Sequence, residues 1–381
     1  MSENFKHFDL RLITPPFESK ATDLIIELDY LRNCTPRGTT PSRVFFQMKD
    51  IFHMLESIGS ARIEGNRTTI LEYIETKIER QTSYSEPVKE ILNMEHALNF
   101  IDDHLNDYPL VNRLFLSELH KIVVQDLMTE GSRNPGEYRR TPVRIGGSNL
   151  ITPDNSQVSM YIDELLNFIS HDDPPKYHLI KTALAHHRFA WIHPFDNGNG
   201  RTVRLLTYAM LVKQGFRVHL ARILNPTAIF CCDRKKYYTS LARADEGDDQ
   251  SLLGWCIYML EGLKREITKI DRLSDYDYVK SHILIPALNY AIERKLITEI
   301  EYKILKLTIE KIEIANSDIQ QIFPSRNIAD ISRIIRNLKN KGMIASKIEK
   351  GRKYEIRFAN NFLLRGIIDA LGKNDFLPVE D

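Results

Sequence analysis

His193-Pro-Phe-Asp-Asn-Gly-Asn-Gly-Arg201-Thr-Val-Arg204 is the stretch on which the reading of this chain turns. It joins two apolar segments of helical spacing. One contains Leu179, Ile180, Leu184, Phe189 and Trp191; the other runs from about residue 201 to 214 and is ended by Gly215. Gly198 and Gly200 let the backbone turn where a side chain would obstruct it. The helix that follows starts with unpaired backbone N–H groups, and such an end, reached through a glycine loop, suits phosphate oxygens. Arg201 and Arg204, three residues apart, share one face of that helix start and bring two forked cations to a polyphosphate. His193, at the other end of the loop, is a side chain able to act as a general base near neutral pH. A base, an anion cradle and two arginines describe phosphoryl or nucleotidyl transfer. A histidine before proline, or Gly-x-Gly alone, is ordinary structure; the ordered combination carries the chemistry.

The string resembles the signature of the Fic family, His-x-Phe-x-Asp/Glu-Gly-Asn-Gly-Arg-x-x-Arg. ALAHHRFAWI before it and RLLTYAMLV after it are similar to the family's two core helices, and the resemblance runs from about residue 45 to 260. It implies a helical bundle that transfers AMP from ATP, with Mg²⁺, to a hydroxyl of a target protein or of the chain itself. In that reading His193 takes the proton from the hydroxyl and Phe195 anchors the loop in the core. Gly198, Asn199 and Gly200 cradle the α- and β-phosphates, Arg201 holds the β/γ-phosphates and Arg204 the γ-phosphate. One position departs from the pattern. Asn197 stands where the family has an acidic metal ligand, and a carboxamide oxygen lacks the charge that a hard cation favours. The departure puts metal affinity and turnover in doubt more than fold or nucleotide binding. Transfer of a different phosphate-linked group, or nucleotide sensing without turnover, therefore stays open.

Ser60-Ala-Arg-Ile-Glu64-Gly65 matches the family's inhibitory motif, Ser/Thr-x-x-x-Glu-Gly/Asn, at the end of a helix expected over about 42–64. A Glu64 carboxylate that reaches Arg204 would occupy the group meant for the γ-phosphate, and Ser60, one helical turn earlier, shares its face. The plainer alternative is a solvated helix-end glutamate. Val143-Arg-Ile145, a turn at Gly146-Gly147-Ser148-Asn149 and Leu150-Ile151 form a candidate β-hairpin. By resemblance it is a flap, with Thr141, Val143, Ile145 and Leu150, that pairs with the target's backbone. Tyr237 and Tyr238 resemble the paired tyrosines near the family's adenine pocket, with plain helix packing as the alternative.

Helical periodicity dominates the rest. Helices are expected over 20–32, 42–63, from Thr69 to about 80, and near 87–105, 111–128, 155–169, 175–191, 233–244 and 250–271. The last hundred residues change character. Helices near 299–312 and 316–323, a third capped by Ser325 and stopped at Gly342, and a hairpin around Lys350-Gly-Arg-Lys353 look like a winged-helix domain. Its third helix carries Arg326, Arg333, Arg336, Lys339 and Lys341, and its wing Lys347, Lys350, Arg352 and Lys353. Such a unit places a helix in a DNA major groove or serves as a protein-interaction module. The fold class is thus mainly α, with a Fic bundle and small hairpin flap followed by a winged helix. The expected division is an N-terminal helical region over 1–110, a catalytic core over 111–271, a connector over 272–298 and the winged helix over 299–381.

With 381 residues, 43% of them hydrophobic, the chain is long enough for two or three cores. A formal charge of +1 excludes a general polyanion binder and confines any nucleic-acid role to a local patch. Cys34, Cys231, Cys232 and Cys256 are too few and too irregularly spaced for a disulfide framework or zinc cluster. No apolar run approaches the about 18 residues of a membrane span, and no secretory signal is visible, so the expectation is a cytoplasmic protein. The target protein and the choice between monomer and homodimer are not written in the sequence.

Overall fold

In chain order the helices of the computed structural model begin with α1 (Lys20–Asn33), α2 (Ser42–Glu64), α3 (Ile70–Glu79), α4 (Glu86–Asp107) and α5 (Arg113–Val124). There follow α6 (Val158–Ser170), α7 (His178–Ile192), α8 (Asn199–Lys213), α9 (Thr227–Cys231), α10 (Arg234–Ala244) and α11 (Asp249–Asp271). The C-terminal elements are α12 (Tyr276–Tyr278), a π-helical stretch Val279–Leu284, α13 (Ile285–Glu293), α14 (Glu299–Lys311), β1 (Glu313–Ala315), α15 (Asn316–Ile322), α16 (Ile328–Asn340), β2 (Ile344–Ser346), β3 (Lys353–Ile356) and α17 (Leu364–Lys373). The structure describes residues 5–33, 38–79, 83–107, 110–216, 227–346, 348, 351–360 and 362–377. Cys34 and the expected wing residues Lys347 and Lys350 lie outside them. The protein is mainly helical.

The chain divides into two compact units. One comprises residues 1–35, 52–69 and 83–268; the other 36–51, 70–82 and 269–381. Residues 1–110, read from sequence as one N-terminal region, are thus shared between the two units.

In the first unit α7 and α8 form the centre, packed on each other and flanked by α4, α5 and α6. All but two residues of α7 are buried, including His186, His187 and Arg188. A helix buried on every side has no solvated stripe, so its polar side chains need partners inside the protein. Arg188 finds them in Glu164 at 2.5 Å and the Phe8 carbonyl at 2.9 Å. α5 starts at Arg113 because the Asn112 side chain accepts the Phe115 N–H at 2.9 Å. The C-terminal half of α2 is apolar and buried through Phe52, Leu55 and Ile58. Its end is sharp. Gly65 takes φ +107°, its N–H reaches the Arg62 carbonyl, and the Asn66 N–H reaches that of Ala61. That double bond is a Schellman stop, and it fixes where Glu64 sits.

The expected hairpin over Val143–Ile151 does not form a strand ladder. Its turn is present, with the Ser148 N–H on the Ile145 carbonyl at 3.2 Å. Gly147 takes φ +73° while Gly146 does not take a positive φ. A turn with positive φ only at its second central residue splays its flanks instead of matching strand twist. The two sides are tied by the Thr152 hydroxyl on the Val143 carbonyl at 3.2 Å. The segment is therefore a turn-closed loop.

In the second unit α14, β1, α15, α16, β2 and β3 follow in that order, with an antiparallel sheet of strand order β1-β3-β2. Asn327, not Ser325, caps α16 by accepting the Asp330 N–H at 2.8 Å. Asn327 stands directly before the first helical residue, while the preceding Phe323–Arg326 stretch closes its own turn. Gly342 ends the region at φ +66°. α13 packs on α14 and α17, so most of the expected connector is helix built into this unit. Among the described residues no helix is long and apolar enough to cross a membrane, and the described cysteines form no disulfide.

Candidate active site

α7 ends where His193 turns left-handed, at φ +49° and ψ +62°, with its N–H still bonded to the Phe189 carbonyl. The loop that follows is held from inside. Phe195 is fully buried and its ring stacks on that of His120 at 3.7 Å, nearly parallel. Asn199 closes the turn by accepting the Phe195 N–H and donating to the Phe195 carbonyl, both at 2.9 Å. Gly198 takes φ +72°, and a Cβ there would lie 2.8 Å from Val124. Glycine is thus required twice over at 198.

Arg204, 1% exposed, donates to the Ser60 hydroxyl at 2.9 Å, to the Ser60 carbonyl at 3.0 Å and to Glu64 at 2.7 Å. Burial opposes ionisation of Glu64, but the charge and hydrogen bond of Arg204 outweigh it and hold the carboxyl below the usual range. Burial likewise opposes the charge on Arg204, and Glu64 with its neighbours reverses that and raises its pKa. The carboxylate lies over the start of α8, where a Cβ on Gly200 would fall 2.1 Å from Glu64 Oε1. Position 200 is glycine, and Glu64 sits where that helix would otherwise receive an anion.

Arg201 is turned away from this pocket. It is 1% exposed, pairs with buried Glu90 at 3.0 Å and donates to the Glu130 carbonyl at 2.8 Å. Asn66 holds Glu90 from the other side at 2.7 Å. Burial pushes the Glu90 carboxyl up despite Arg201.

A cavity of about 1170 Å³ is lined by Glu64, His193, Asn199, Gly200, Arg204, Tyr237, Tyr238 and the loop Ile145–Ile151. It brings together most of the sequence-derived site residues, including Ile145 and Leu150. Thr141 and Val143 line a second cavity of about 580 Å³ with Asp196 and Asn197. Desolvation lowers the pKa of His193 to about 4, against smaller opposing effects of the Ala190 carbonyl and Glu64. The imidazole is neutral at physiological pH. Its bond to Ala190 uses one ring nitrogen as donor, which leaves the other as a base.

The donors do not make a resident metal site. Asn197 Oδ1 accepts the Gly198 N–H at 2.7 Å, and Asp196 Oδ2 accepts the Arg133 N–H at 2.9 Å. Among the described residues no group of three or more histidine, cysteine or acidic side chains is placed to hold a cation.

Two buried residues escaped the sequence reading. Arg139 donates to the His193 carbonyl at 2.8 Å and the Pro153 carbonyl at 2.6 Å, while its N–H bonds to Pro194 at 2.8 Å. It fastens the loop bearing Ile145–Ile151 to the histidine. No sequence pattern marks it. His120 accepts the Gly136 N–H on Nδ1 at 2.8 Å, so its Nε2–H donates to the Asn197 carbonyl at 3.1 Å. It lies between Leu116 and Val123 on the apolar face of α5, and a polar residue on that face was the available signal.

His120 and His186 give the fold an acid sensitivity. Burial lowers His120 to about 4 and His186 well below the ordinary 6.5. The unfolded chain then binds more protons below pH 6.5, so this stability is full above 6.5 and is lost as pH falls. For His120 the loss is about 2 kcal/mol between pH 7 and 5; His186 acts in the same direction, and the raised Glu90 offsets part of it. Urea unfolding at pH 7 and pH 5 should record the drop; equal free energies would refute it.

Residues 111–211 match the Fic/DOC family. The protein adenylyltransferase Fic of Culex quinquefasciatus is 31% identical over 204 residues, 52% of this chain and 37% of that protein. The protein adenylyltransferase Fic of Drosophila grimshawi is 30% identical over 201 residues, 51% of this chain and 38% of that protein. The match thus spans a little over a third of the length of these relatives. A crystal structure of a Fic family protein from Desulfovibrio desulfuricans superposes with a TM-score of 0.55 at 18% identity, over 92% of this chain and 98% of that one, and has a similar fold. His193, the glycine loop and both arginines of the signature fall at the end of α7 and the start of α8, within the residues 111–211 that match the Fic/DOC family.

Proposed function

We propose that the protein transfers AMP from ATP to a hydroxyl side chain of a target protein or of itself, and that Glu64 restrains it. The observation that carries this reading is the Glu64–Arg204 pair at 2.7 Å, set over the start of α8 in the same cavity as His193. The relatives of known name, protein adenylyltransferases, support the same chemistry. In the reaction the target oxygen attacks the α-phosphorus, the bond from that phosphorus to the bridging oxygen breaks, and pyrophosphate leaves. His193 takes the hydroxyl proton. The turn at Gly198, Asn199 and Gly200 receives the phosphates, Arg204 holds the γ-phosphate once Glu64 releases it, and Arg201 supports the phosphates from behind. Tyr238 borders the adenine, and the loop over Thr141, Val143, Ile145 and Leu150 docks the target. Incubation with Mg²⁺ and ATP labelled at the α- or γ-phosphate tests it. Protein-bound α-label supports AMP transfer, whereas bound γ-label would mean a kinase-like reaction.

A second reading, a nucleotide-sensing DNA-binding regulator, is favoured by one observation. α16 exposes Arg333, Arg336, Asn337 and Asn340 along one face, side chains of the kind that read guanine and adenine edges. The helix–strand–helix–helix–strand–strand order around it supports a winged-helix reading. Titrating the full chain with duplex DNA should give binding that weakens as salt rises and weakens further in Arg336→Ala. Salt-independent binding, or none, would leave this unit a protein-interaction module.

A further inference from the structure

We infer that His120 is a positioning residue for the nucleotide's phosphates: buried in α5, it seats the glycine loop by one hydrogen bond and one ring stack, and so sets the helix start that meets them. The inference rests on the nucleotide-binding reading of the cavity. The donor and acceptor roles around the ring are fixed from both sides. The Gly136 backbone N–H, 2.8 Å from Nδ1, can only donate, so Nδ1 is bare. The imidazole then carries its proton on Nε2, and the Asn197 carbonyl, 3.1 Å away, can only accept it. His120 is 0% exposed, so it meets no ligand and acts only through what it holds.

What it holds is the turn itself. The Phe195 ring lies parallel to the imidazole at 3.7 Å, and a Cβ on Gly198 would lie 3.5 Å from its Cδ2 and Nε2. The loop thus rests on His120 at residues 195, 197 and 198. Its polar backbone groups are spent within the protein. The Asn197 carbonyl goes to His120 and the Gly198 N–H to Asn197 Oδ1 at 2.7 Å. The Gly198 carbonyl goes to Thr202, whose N–H lies at 3.0 Å and hydroxyl at 2.8 Å. The N–H groups of Asn199, Gly200 and Arg201 come next, and as the first of α8 they have no preceding turn to bond to. They are the donors left for an anion, at the end that Glu64 overlies. Where they point depends on the peptide planes just before them, and His120 fixes the one between Asn197 and Gly198.

The test is calorimetric binding of ATP and of adenosine by the full chain carrying Glu64→Gly. Adenosine has no phosphate to meet the turn. Asparagine and glutamine each keep half of the imidazole's chemistry: Asn Oδ1 replaces Nδ1 as acceptor for Gly136, and Gln Nε2 replaces Nε2 as donor to Asn197. Adding His120→Asn should weaken ATP about 10-fold, the effect of about one hydrogen bond to a charged group, and leave adenosine within about 2-fold. His120→Gln, which keeps the donor to the loop, should hold ATP affinity within about 3-fold of the parent. A packing role would not tell the two variants apart. Equal loss of ATP affinity in both, no loss in either, or a matching loss of adenosine affinity overturns the assignment. If the Glu64→Gly parent binds no ATP, the nucleotide reading fails and this inference with it; if the parent binds and His120→Asn is unchanged, only the role of His120 falls. Should His120→Asn not fold, His120→Phe, which keeps the ring stack and lacks the donor, decides by the same ATP measurement.

Discussion

Glu64→Gly is expected to raise incorporation of α-phosphate label about 10- to 150-fold over the wild-type chain. The range is the free energy of one charge-assisted hydrogen bond, about 1.5–3 kcal/mol, read as a rate factor. The contact removed is the 2.7 Å bond from Arg204 to Glu64. After its loss Arg204 is still held by Ser60 through Nε and Nη2, so the guanidinium keeps its place and gains room for a γ-phosphate. The carboxylate over Gly200 leaves as well, which opens the start of α8 to anions. A cost in stability accompanies this. Arg204, 1% exposed beside Glu64, loses its carboxylate partner, and an under-compensated buried cation is destabilising. The variant's melting temperature should therefore fall without nucleotide and recover with Mg²⁺ and ATP, since ligand binding to the folded state stabilises by mass action. Unchanged label in a variant that binds ATP would reject the brake and leave Glu64 an ordinary ion-pair partner.

His193→Ala, added to Glu64→Gly, should lower that incorporation by about 10²- to 10⁴-fold, the usual contribution of a positioned general base. ATP affinity should change little, because His193 is placed at the hydroxyl and not at the phosphates. That split between turnover and binding separates a base from a packing residue. The pH dependence supplies a second check. An unperturbed imidazole would lose half its base form near pH 6.5, whereas desolvation holds His193 at about 4. Glu64 raises that value slightly, so its removal moves the group further down. Label incorporation by Glu64→Gly should therefore persist from pH 8 to about pH 5. A fall centred near 6.5 would mean that His193 is solvated during turnover.

The helical elements and the chemical centre were legible because both depend on local pattern. Apolar residues at helical spacing gave α2, runs of bulky apolar residues on either side of the glycine loop gave α7 and α8, and the Gly65 stop needs only a residue tolerant of positive φ. α17 was equally legible, since Leu363, Ile367, Ile368 and Leu371 repeat at helical spacing, and it was missed. The three-residue strand β1 was not legible, because three residues carry no alternation; it exists through its pairing with β3. The loop at Val143–Ile151 has hairpin composition, yet the turn actually adopted does not match strand twist.

By itself the sequence determined a helical chain with a glycine-bounded loop between two apolar helices, a histidine at one end and two arginines at the other. It placed Glu64 and Ser60 on one helix face. Only the tertiary structure decided which acid meets which arginine: Glu64 lies on Arg204, while Arg201 turns to Glu90 and Glu130. Only it showed that Arg139 ties the loop to His193, that Asn197 Oδ1 accepts the Gly198 N–H, and that Tyr237 is buried while Tyr238 is exposed. The reason is physical. Periodicity and turn chemistry act over a few residues, but the partner of a buried charge is set by which side chains the packed helices bring within hydrogen-bond reach, from positions as far apart in the chain as 64 and 204.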